Sequence, residues 1–361
     1  MASNSIGSIF KVSSFGESHG KGIGVLLDGV PSGILVDESF ITYALQRRRP
    51  GQSAVTTGRK EQDEFQILSG VFENKTLGSP VCIWIPNTDQ QPADYEHLKS
   101  IYRPGHADFT YEAKYGFRDY RGGGRSSARI TAGWVAAGAL AELALKQLYP
   151  DINIVAWVKQ IHTISSNPSV IPQNREQVDI NIVRCPDIQA ATLMESAILN
   201  AKDDGDSLGG LIGCNIENLP TGLGEPVFDK LSARLAQAMM SINAVKGFHI
   251  GDNPVVLKGS EMNDAFVYGE GQIATVTNHS AGIQGGISNG MPVFFDVLFK
   301  PTSTIRKTQK TVDGDGNVRE LSAEGRHDPC VLPRAVPIVE AMAAITLFDM
   351  VLLDRVSRIN L

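Results

Sequence analysis

The sequence predicts an α+β fold, organised as one mixed domain over residues 1–361. Three observations predict it. Strand-like and helix-like segments interleave along the chain instead of falling into separate blocks. No Pro/Ser-rich linker, repeat or low-complexity tract marks a boundary. The composition, 42% hydrophobic and 20% charged over 361 residues, suits a large buried core and excludes disorder as the main state.

The elements follow in order. Ser8 to Ser14 alternates loosely and Gly24 to Leu27 resumes after a Gly16–Gly20 turn, so both read as strands. Asp37 can cap a helix running to about Arg49, where Pro50-Gly51 stops it. Phe65 to Phe72 and Pro80 to Ile85 read as paired strands around Asn74-Lys75. Ala128 to Leu148 is an alanine-rich helix ended by Pro150, and the main-chain N–H groups at its start suit an anion. Ile152 to Ile161 reads as a strand, Ile188 to Lys202 as a helix, Leu208 to Ile216 as a glycine-loosened strand and Pro226 to Met240 as another helix. Residues 268 to 300 are Gly-rich and β-like. The last helix, Ala335 to Val356, is long and apolar, as expected of a core or a subunit interface.

A net charge of −6 disfavours a general nucleic-acid partner. Against that average, Lys114 to Arg129 holds five basic residues (Lys114, Arg118, Arg121, Arg125, Arg129) and one acid, Asp119. A basic stretch carrying three adjacent glycines reads as an anion site, because glycines let backbone approach a ligand closely. The four cysteines (Cys82, Cys185, Cys214, Cys330) form no C-x-x-C pair, which argues against a thiolate zinc site and fits a reducing compartment. The N-terminal stretch has no apolar signal core, and Ile130 to Ala141 falls short of the roughly 20 apolar residues a membrane span needs. A cytoplasmic protein with no membrane partner is expected.

Four segments carry chemistry. Phe15-Gly16-Glu17-Ser18-His19-Gly20 and Arg103-Pro104-Gly105-His106-Ala107-Asp108 each set an imidazole beside a turn. Arg121-Gly122-Gly123-Gly124-Arg125-Ser126-Ser127-Ala128-Arg129 joins glycines, hydroxyls and guanidinium groups, and Arg326-His327-Asp328-Pro329-Cys330 adds a further His-Asp pair. Imidazoles move protons near neutral pH, and arginine forks grip phosphate and carboxylate. Together they point to an enzyme acting on a small phosphorylated anion.

Competing patterns are weaker. Gly16-Glu17-Ser18-His19-Gly20 matches the G-x-S-x-G nucleophile elbow, but only one strand can precede Ser18 and no helix follows. Gly269-Glu270-Gly271-Gln272-Ile273-Ala274 matches a dinucleotide fingerprint without a following helix. Asp313-Gly314-Asp315-Gly316-Asn317 resembles a calcium loop with Val318 where glycine is needed, so it reads as a turn between strands. No spacing enforces a metal site. A phosphometabolite- or flavin-binding protein without catalysis is the other class to separate.

Taken as a set, the segments resemble chorismate synthase. They are Phe15 to Gly20, Arg47-Arg48-Arg49-Pro50-Gly51, Arg103 to Asp108, Gly122 to Arg129, Ser241-Ile242-Asn243-Ala244-Val245-Lys246-Gly247, Gly285-Gly286-Ile287-Ser288, Lys300 to Ser303 and Arg326 to Cys330, in the family's order. The resemblance implies a β-α-β sandwich, with helices layered between antiparallel sheets, assembled as a homotetramer. It implies a lyase reaction closing the shikimate pathway to aromatic amino acids: anti-1,4 elimination of phosphate from 5-enolpyruvylshikimate 3-phosphate, giving chorismate with reduced FMN and no net redox change.

The resemblance also implies roles. His19 would protonate the departing phosphate, His106 would hold or protonate reduced flavin, and Asp328 would assist proton removal, with Ser18 and Ser127 supporting proton transfer. Arg125, Ser126, Ser127, Asn243, Ala244, Gly286, Lys300, Pro301, Thr302, Ser303, Thr304 and Arg326 match flavin-binding positions. Arg48, Arg49, Arg129 and Arg334 are the substrate-anion candidates, and Arg48 also matches an NADP(H) position, so NADPH could serve as the flavin reductant. Three departures stand out: Ile130 where the family usually has Glu, His249 where it usually has Glu, and Ala54 where some members have Arg.

Overall fold

The computed structural model describes residues 4–53, 55, 61–89, 98–269, 271–322 and 328–358. Two five-stranded sheets organise it. The first contains β1 (Ser5–Ile6), β2 (Lys11–Gly16), β3 (Gly22–Asp28), β4 (Gln66–Ser69) and β5 (Val81–Pro86), in the order β1-β2-β3-β5-β4. The second contains β6 (Asn153–Ile161), β7 (Ile164–Ser165), β8 (Gly210–Glu217), β9 (Val245–Ile250) and β10 (Val293–Phe299), in the order β9-β10-β8-β6-β7. Every neighbouring pair in both sheets is antiparallel.

Helices fill the space between. They are α1 (Glu38–Arg48), α3 (Thr131–Leu148), α5 (Leu231–Met240) and α6 (Leu332–Asp354), while α2 (Asp108–Tyr115) follows the His106 loop and α4 (Ile188–Asp203) packs on the edge strand β7. Helix α3 packs on β2, β3 and β5, α6 packs on β6 and β8, and the two helices pack on each other. The result is the expected sandwich: sheet, helices, sheet. Period-two alternation makes it work. Val81, Ile83 and Ile85 of β5 are fully buried towards the helices, as are Val293, Phe295, Val297 and Phe299 of β10. The helices meet at Gly138, where a Cβ would come within 2.4 Å of the Ala341 Cβ. By length and composition Ala128–Leu148 and Leu332–Asp354 could cross a membrane, but both are largely buried inside the fold.

Several elements match their expected bounds closely. Asp37 caps α1, accepting from the main-chain N–H of Ser39 at 2.9 Å and of Phe40 at 3.3 Å. The calcium-like segment is indeed a turn, joining strands Gln309–Val312 and Val318–Leu321, with the Asp313 carboxylate accepting from Asn317 N at 2.9 Å. Four elements differ. The strand expected from Ser8 starts only at Lys11, because the N–H groups of Ser8, Ile9 and Phe10 go to the Asp349 carboxylate. The helix expected from Pro226 starts only at Leu231, whose N–H is bonded to the Gly286 carbonyl at 2.8 Å; the chain before it turns back on itself. The helix expected from Ala128 opens as a 3-10 turn, Ala128–Ile130, before α3 begins, and a separate 3-10 turn, Gly124–Ser126, precedes it. Helix α2 was not expected; it runs between Ala107 and a left-handed Gly116.

Candidate active site

A cavity of about 360 Å³ opens at one end of the helix layer. Loops from both sheets and the first turns of α6 build it: residues from 103 to 107, 123 to 131, 242 to 244, 299 to 304 and 331 to 338, together with Arg48. Four lining residues are strong cations, Arg48, Arg103, Lys300 and Arg334, and His106 joins them. Among the described residues, none lining this cavity is acidic. Carboxylates stand one layer back, where they orient the cations.

His106 is the best-oriented candidate. Arg103 reaches Asp108 twice, from Nε to Oδ2 at 2.8 Å and from Nη2 to Oδ1 at 2.7 Å, and its Nη2 also donates to the Gly122 carbonyl at 3.0 Å. That uses both hydrogens of Nη2. The His106 Nδ1 lies 3.3 Å from Asp108 Oδ1 and 3.2 Å from Arg103 Nη2. The tautomer consistent with this set has Nδ1–H donating to the carboxylate, leaving Nε2 as the nitrogen available for chemistry. Burial alone would raise the Asp108 pKa, but hydrogen bonds from Arg103 and His106, and their charges, hold it well below the usual carboxylate range. Neither Arg103 nor Asp108 was assigned a role from sequence, although both lie in the motif that drew attention to His106.

A second carboxylate serves two arginines. The buried Asp63 accepts from Arg48 Nη2 at 2.7 Å and from Arg129 Nη1. Arg129 also reaches Asn87 Oδ1 at 2.7 Å and the Pro86 carbonyl at 3.0 Å. Arg48 is fully buried, and burial pushes its pKa down to about 10 despite Asp63, with the Arg334 and Arg129 charges acting the same way. Two guanidinium groups on one carboxylate leave a surplus positive charge. Arg129 supports this cluster from behind and does not line the cavity; Arg49 does not line it either and donates to Gln62 Oε1 at 3.2 Å. Arg334 pairs with Asp328 through Nη1.

The His19 turn lies beside the cavity lining. Ser18 is fully buried, and its hydroxyl is 3.0 Å from His19 Nδ1. The segment runs strand–turn–strand, from β2 into β3, so the strand–turn–helix context of a nucleophile elbow is absent. Asn87 holds the turn, donating to the carbonyls of Glu17 at 3.0 Å and Gly20 at 2.9 Å while its oxygen takes Arg129. It links the His19 turn to the arginine cluster, a relationship no local pattern reveals. Gly122 closes over the imidazole: a Cβ there would sit 2.2 Å from His19 Nδ1.

The glycine-rich segment divides its residues. Ser126 and Ser127 line the cavity, but Arg125 turns the other way, donating to the Ser14 carbonyl at 3.0 Å and the Gly16 carbonyl at 3.2 Å. Three of the main-chain donors near the expected anion site are committed locally. Ser126 N bonds Gly123 O at 2.9 Å, Ile130 N bonds Ser127 O at 3.3 Å, and Arg129 N bonds Ser127 Oγ at 3.2 Å. The full charges facing the cavity are those of side chains.

Of the other expected flavin positions, Asn243, Ala244 and residues 300 to 304 all line the cavity. Lys300 Nζ donates to Gly105 O at 2.9 Å, and burial followed by the Lys246 charge lowers its pKa. Asn243 donates to Ser126 O at 2.8 Å, which leaves its Oδ1 buried with no hydrogen-bond partner. Gly286 lies in the hairpin at the start of α5, away from the lining, and Arg326 lies outside the described residues.

Comparison with known proteins decides the lineage. A sequence profile of the chorismate synthase family matches residues 10–352. Chorismate synthase of Bacteroides fragilis is 53% identical over 358 residues, covering 99% of both chains. That of Prochlorococcus marinus (strain MIT 9211) is 53% identical over 349 residues, covering 96% of each. A crystal structure of chorismate synthase superposes with a TM-score of 0.76 at 30% identity, over 96% of this chain and 93% of the other.

This chain belongs to the chorismate synthase family. It is an enzyme of that lyase family. The departures from the family pattern now have physical readings. Ile130 is buried, and Arg129 finds its carboxylate at Asp63, so no acid at position 130 is needed to neutralise it. His249 lies on β9 opposite Asp296, away from the cavity. Ala54 lies outside the described residues.

Proposed function

We propose that this chorismate synthase family member eliminates phosphate from 5-enolpyruvylshikimate 3-phosphate in the anti-1,4 sense, giving chorismate, and that it requires reduced FMN without net redox change. The observation carrying this reading is the cavity lining: Arg48, Arg103, Lys300 and Arg334 with no acid among the described lining residues. A substrate with one phosphate and two carboxylates would be expelled from a neutral or acidic pocket of this size.

The donor set also fits a flavin. Ser126, Ser127, Thr302, Ser303 and Thr304 offer hydroxyls, and the buried, unpartnered Asn243 Oδ1 needs an N–H or O–H donor that a bound flavin can supply. Lys300, Pro301, Ala244, Gly286, Arg125 and Arg326 complete the proposed cofactor residues, of which Gly286 stands away from the lining and Arg125 must turn from its present partners to take part. Reduced FMN, when bound, supplies transient electron density that helps the C–O bond to phosphate break.

The remaining steps fall to the protein. Arg48 and Arg334 hold the substrate's anionic groups, Arg129 backs Arg48 through Asp63, and Arg49 takes part only by turning from Gln62; Arg48 also takes the phosphate of NADPH if the enzyme reduces its own flavin. His19, with Ser18 against Nδ1, gives a proton to the departing phosphate oxygen. His106, fixed by Asp108, holds or delivers a proton at the flavin. Asp328 assists loss of the ring proton, aided by Ser127. We further propose that residues 1–361 act as one domain, in the cytoplasm, as a homotetramer.

The test is anaerobic. Purified protein, chemically reduced FMN and 5-enolpyruvylshikimate 3-phosphate should release chorismate and phosphate in equal amounts, and neither with oxidised flavin. Bound, reduced flavin with no product would overturn the elimination and leave a binding protein.

A further inference from the structure

Arg184 lies outside every motif described above, is 7% exposed and does not line the main cavity. Its three kinds of donor go to three different parts of the protein. Nε donates to Asp179 Oδ1 at 2.9 Å, Nη2 to Gln52 Oε1 at 3.3 Å, and Nη1 to the Pro333 carbonyl.

The Pro333 carbonyl explains why a cation is there. Helix α6 contains Pro337, four residues on, which has no N–H to return the usual helical hydrogen bond. Arg184 occupies that missing rung, beside Arg334. The Gln52 contact reaches the other cation. Gln52 Nε2 donates to the carbonyls of Arg47 at 2.7 Å and Arg49 at 2.6 Å, while Arg334 Nε takes the carbonyl between them, Arg48 O, at 3.2 Å. These are carbonyls at the end of α1 that the helix itself leaves open. Arg184 and Arg334 also border a separate cavity of about 210 Å³ together with Gln52 and Pro333.

We infer that Arg184 is a positioning residue for the anion site, fixing the spacing of Arg48 and Arg334 by tying the end of α1, through Gln52, to the proline-interrupted start of α6. This inference rests on the elimination proposed above. It predicts a defect in holding the substrate, not in proton transfer, because His19 and His106 stand on other segments.

The test compares FMN-loaded wild type, Arg184→Met and Gln52→Ala. Arg184→Met should raise KM for 5-enolpyruvylshikimate 3-phosphate about 10-fold or more with kcat changed less than about 3-fold. Gln52→Ala, at an exposed position, should shift KM in the same direction by less. Pro337→Ala restores an N–H to the Pro333 carbonyl, so Arg184→Met should cost less KM in that background, a rescue that mere loss of stability would not give. Unchanged KM in folded Arg184→Met overturns the inference. If that variant does not fold, unchanged KM in Gln52→Ala overturns it. Should wild type neither bind nor convert the substrate, the elimination reading fails separately. Titration with inorganic phosphate then decides the positioning role, equal affinity in wild type and Arg184→Met overturning it.

Discussion

Arg334 Nε donates to the main-chain carbonyl of Arg48 at 3.2 Å. Two residues whose cations face one cavity thus come from opposite ends of the chain, and the guanidinium of one is fixed on the backbone of the other. Arg334 also neutralises Asp328. Arg334→Ala removes a cavity charge, the Arg48 contact and the Asp328 partner together. We expect kcat/KM to fall about 10²-fold, roughly 2.7 kcal/mol. Arg334→Lys should recover only part, because it keeps charge without the planar fork. Steady-state kinetics settle it: an alanine variant with wild-type kcat/KM would remove Arg334 from the anion site.

Gly122 gives a different test, of His19. Its φ is +86°, and an added Cβ would meet the imidazole at 2.2 Å. Gly122→Ala must therefore displace His19 or the loop. Turnover should fall about 10²-fold, as for loss of a general acid, and His19→Ala should cost at least as much. Both should leave KM within a few-fold. If Gly122→Ala turns over normally, His19 does not act from this position.

Asp108 anchors both Arg103 and the His106 ring. Asp108→Asn replaces one acceptor oxygen by an amide that faces donors, so His106 loses the partner that sets its tautomer. Turnover should fall about 10²-fold, as it should in His106→Ala. Thermal unfolding should also show a cost of about 3–5 kcal/mol, because Arg103 remains buried without its carboxylate. An asparagine variant active at the wild-type rate would show that the tautomer is not set by Asp108.

How much of this was legible beforehand depends on sequence distance. Asp37 and α1, the apolar run of α6, and the strand alternation of β5 and β10 are local patterns, and the structure keeps them. The His106 motif carried its own orienting acid within two residues. Asp63, Asn87 and Arg184 were invisible because their partners lie far along the chain: Asp63 to Arg129, Asn87 to Arg129, Arg184 to Pro333. Sheet order was equally hidden, since nothing in β4 or β5 says that they pair beside β3. Composition identified Arg125 as a cation near an anion site; it could not show that Ser14 and Gly16 carbonyls hold it turned away.

The loop carrying Asp264 should govern part of the acid limb. Burial would raise this carboxyl, but Thr277 Oγ1 at 2.7 Å and the main-chain N–H groups of His279 and Ser280 bring its pKa down to about 2. The unfolded value is about 3.9. A depressed folded pKa contributes stability that is complete above about pH 4 and is lost as pH falls through about 2. Asp264→Asn should therefore melt lower than wild type at pH 7, with the gap closing below about pH 3. Parallel melting curves offset equally at pH 7 and pH 2 would show that the charge plays no part.

Asp349 provides the clearest separation of stability from catalysis. It sits in α6, 2% exposed, far from the cavity lining. Its carboxylate accepts three consecutive main-chain N–H groups, from Ser8 and Ile9 at 2.8 Å and from Phe10 at 2.9 Å. Those donors precede β2 and have no strand partner of their own, so the carboxylate substitutes for a ladder. Phe10 then packs edge-on against Phe348, ring centroids 5.0 Å apart. Asp349→Asn keeps the volume but turns an NH2 group towards donors, and hydrogen bonds to a charged acceptor contribute about 1.5–3 kcal/mol each to a buried site. Denaturant unfolding should show a loss of about 2–4 kcal/mol, and amide exchange at residues 8 to 10 should rise by more than elsewhere. At a temperature where the variant stays folded, kcat/KM should match wild type, because no cavity residue depends on this contact. A variant that loses activity while exchange at residues 8 to 10 is unchanged would mean that Asp349 is coupled to the site by a route other than the N-terminal turn.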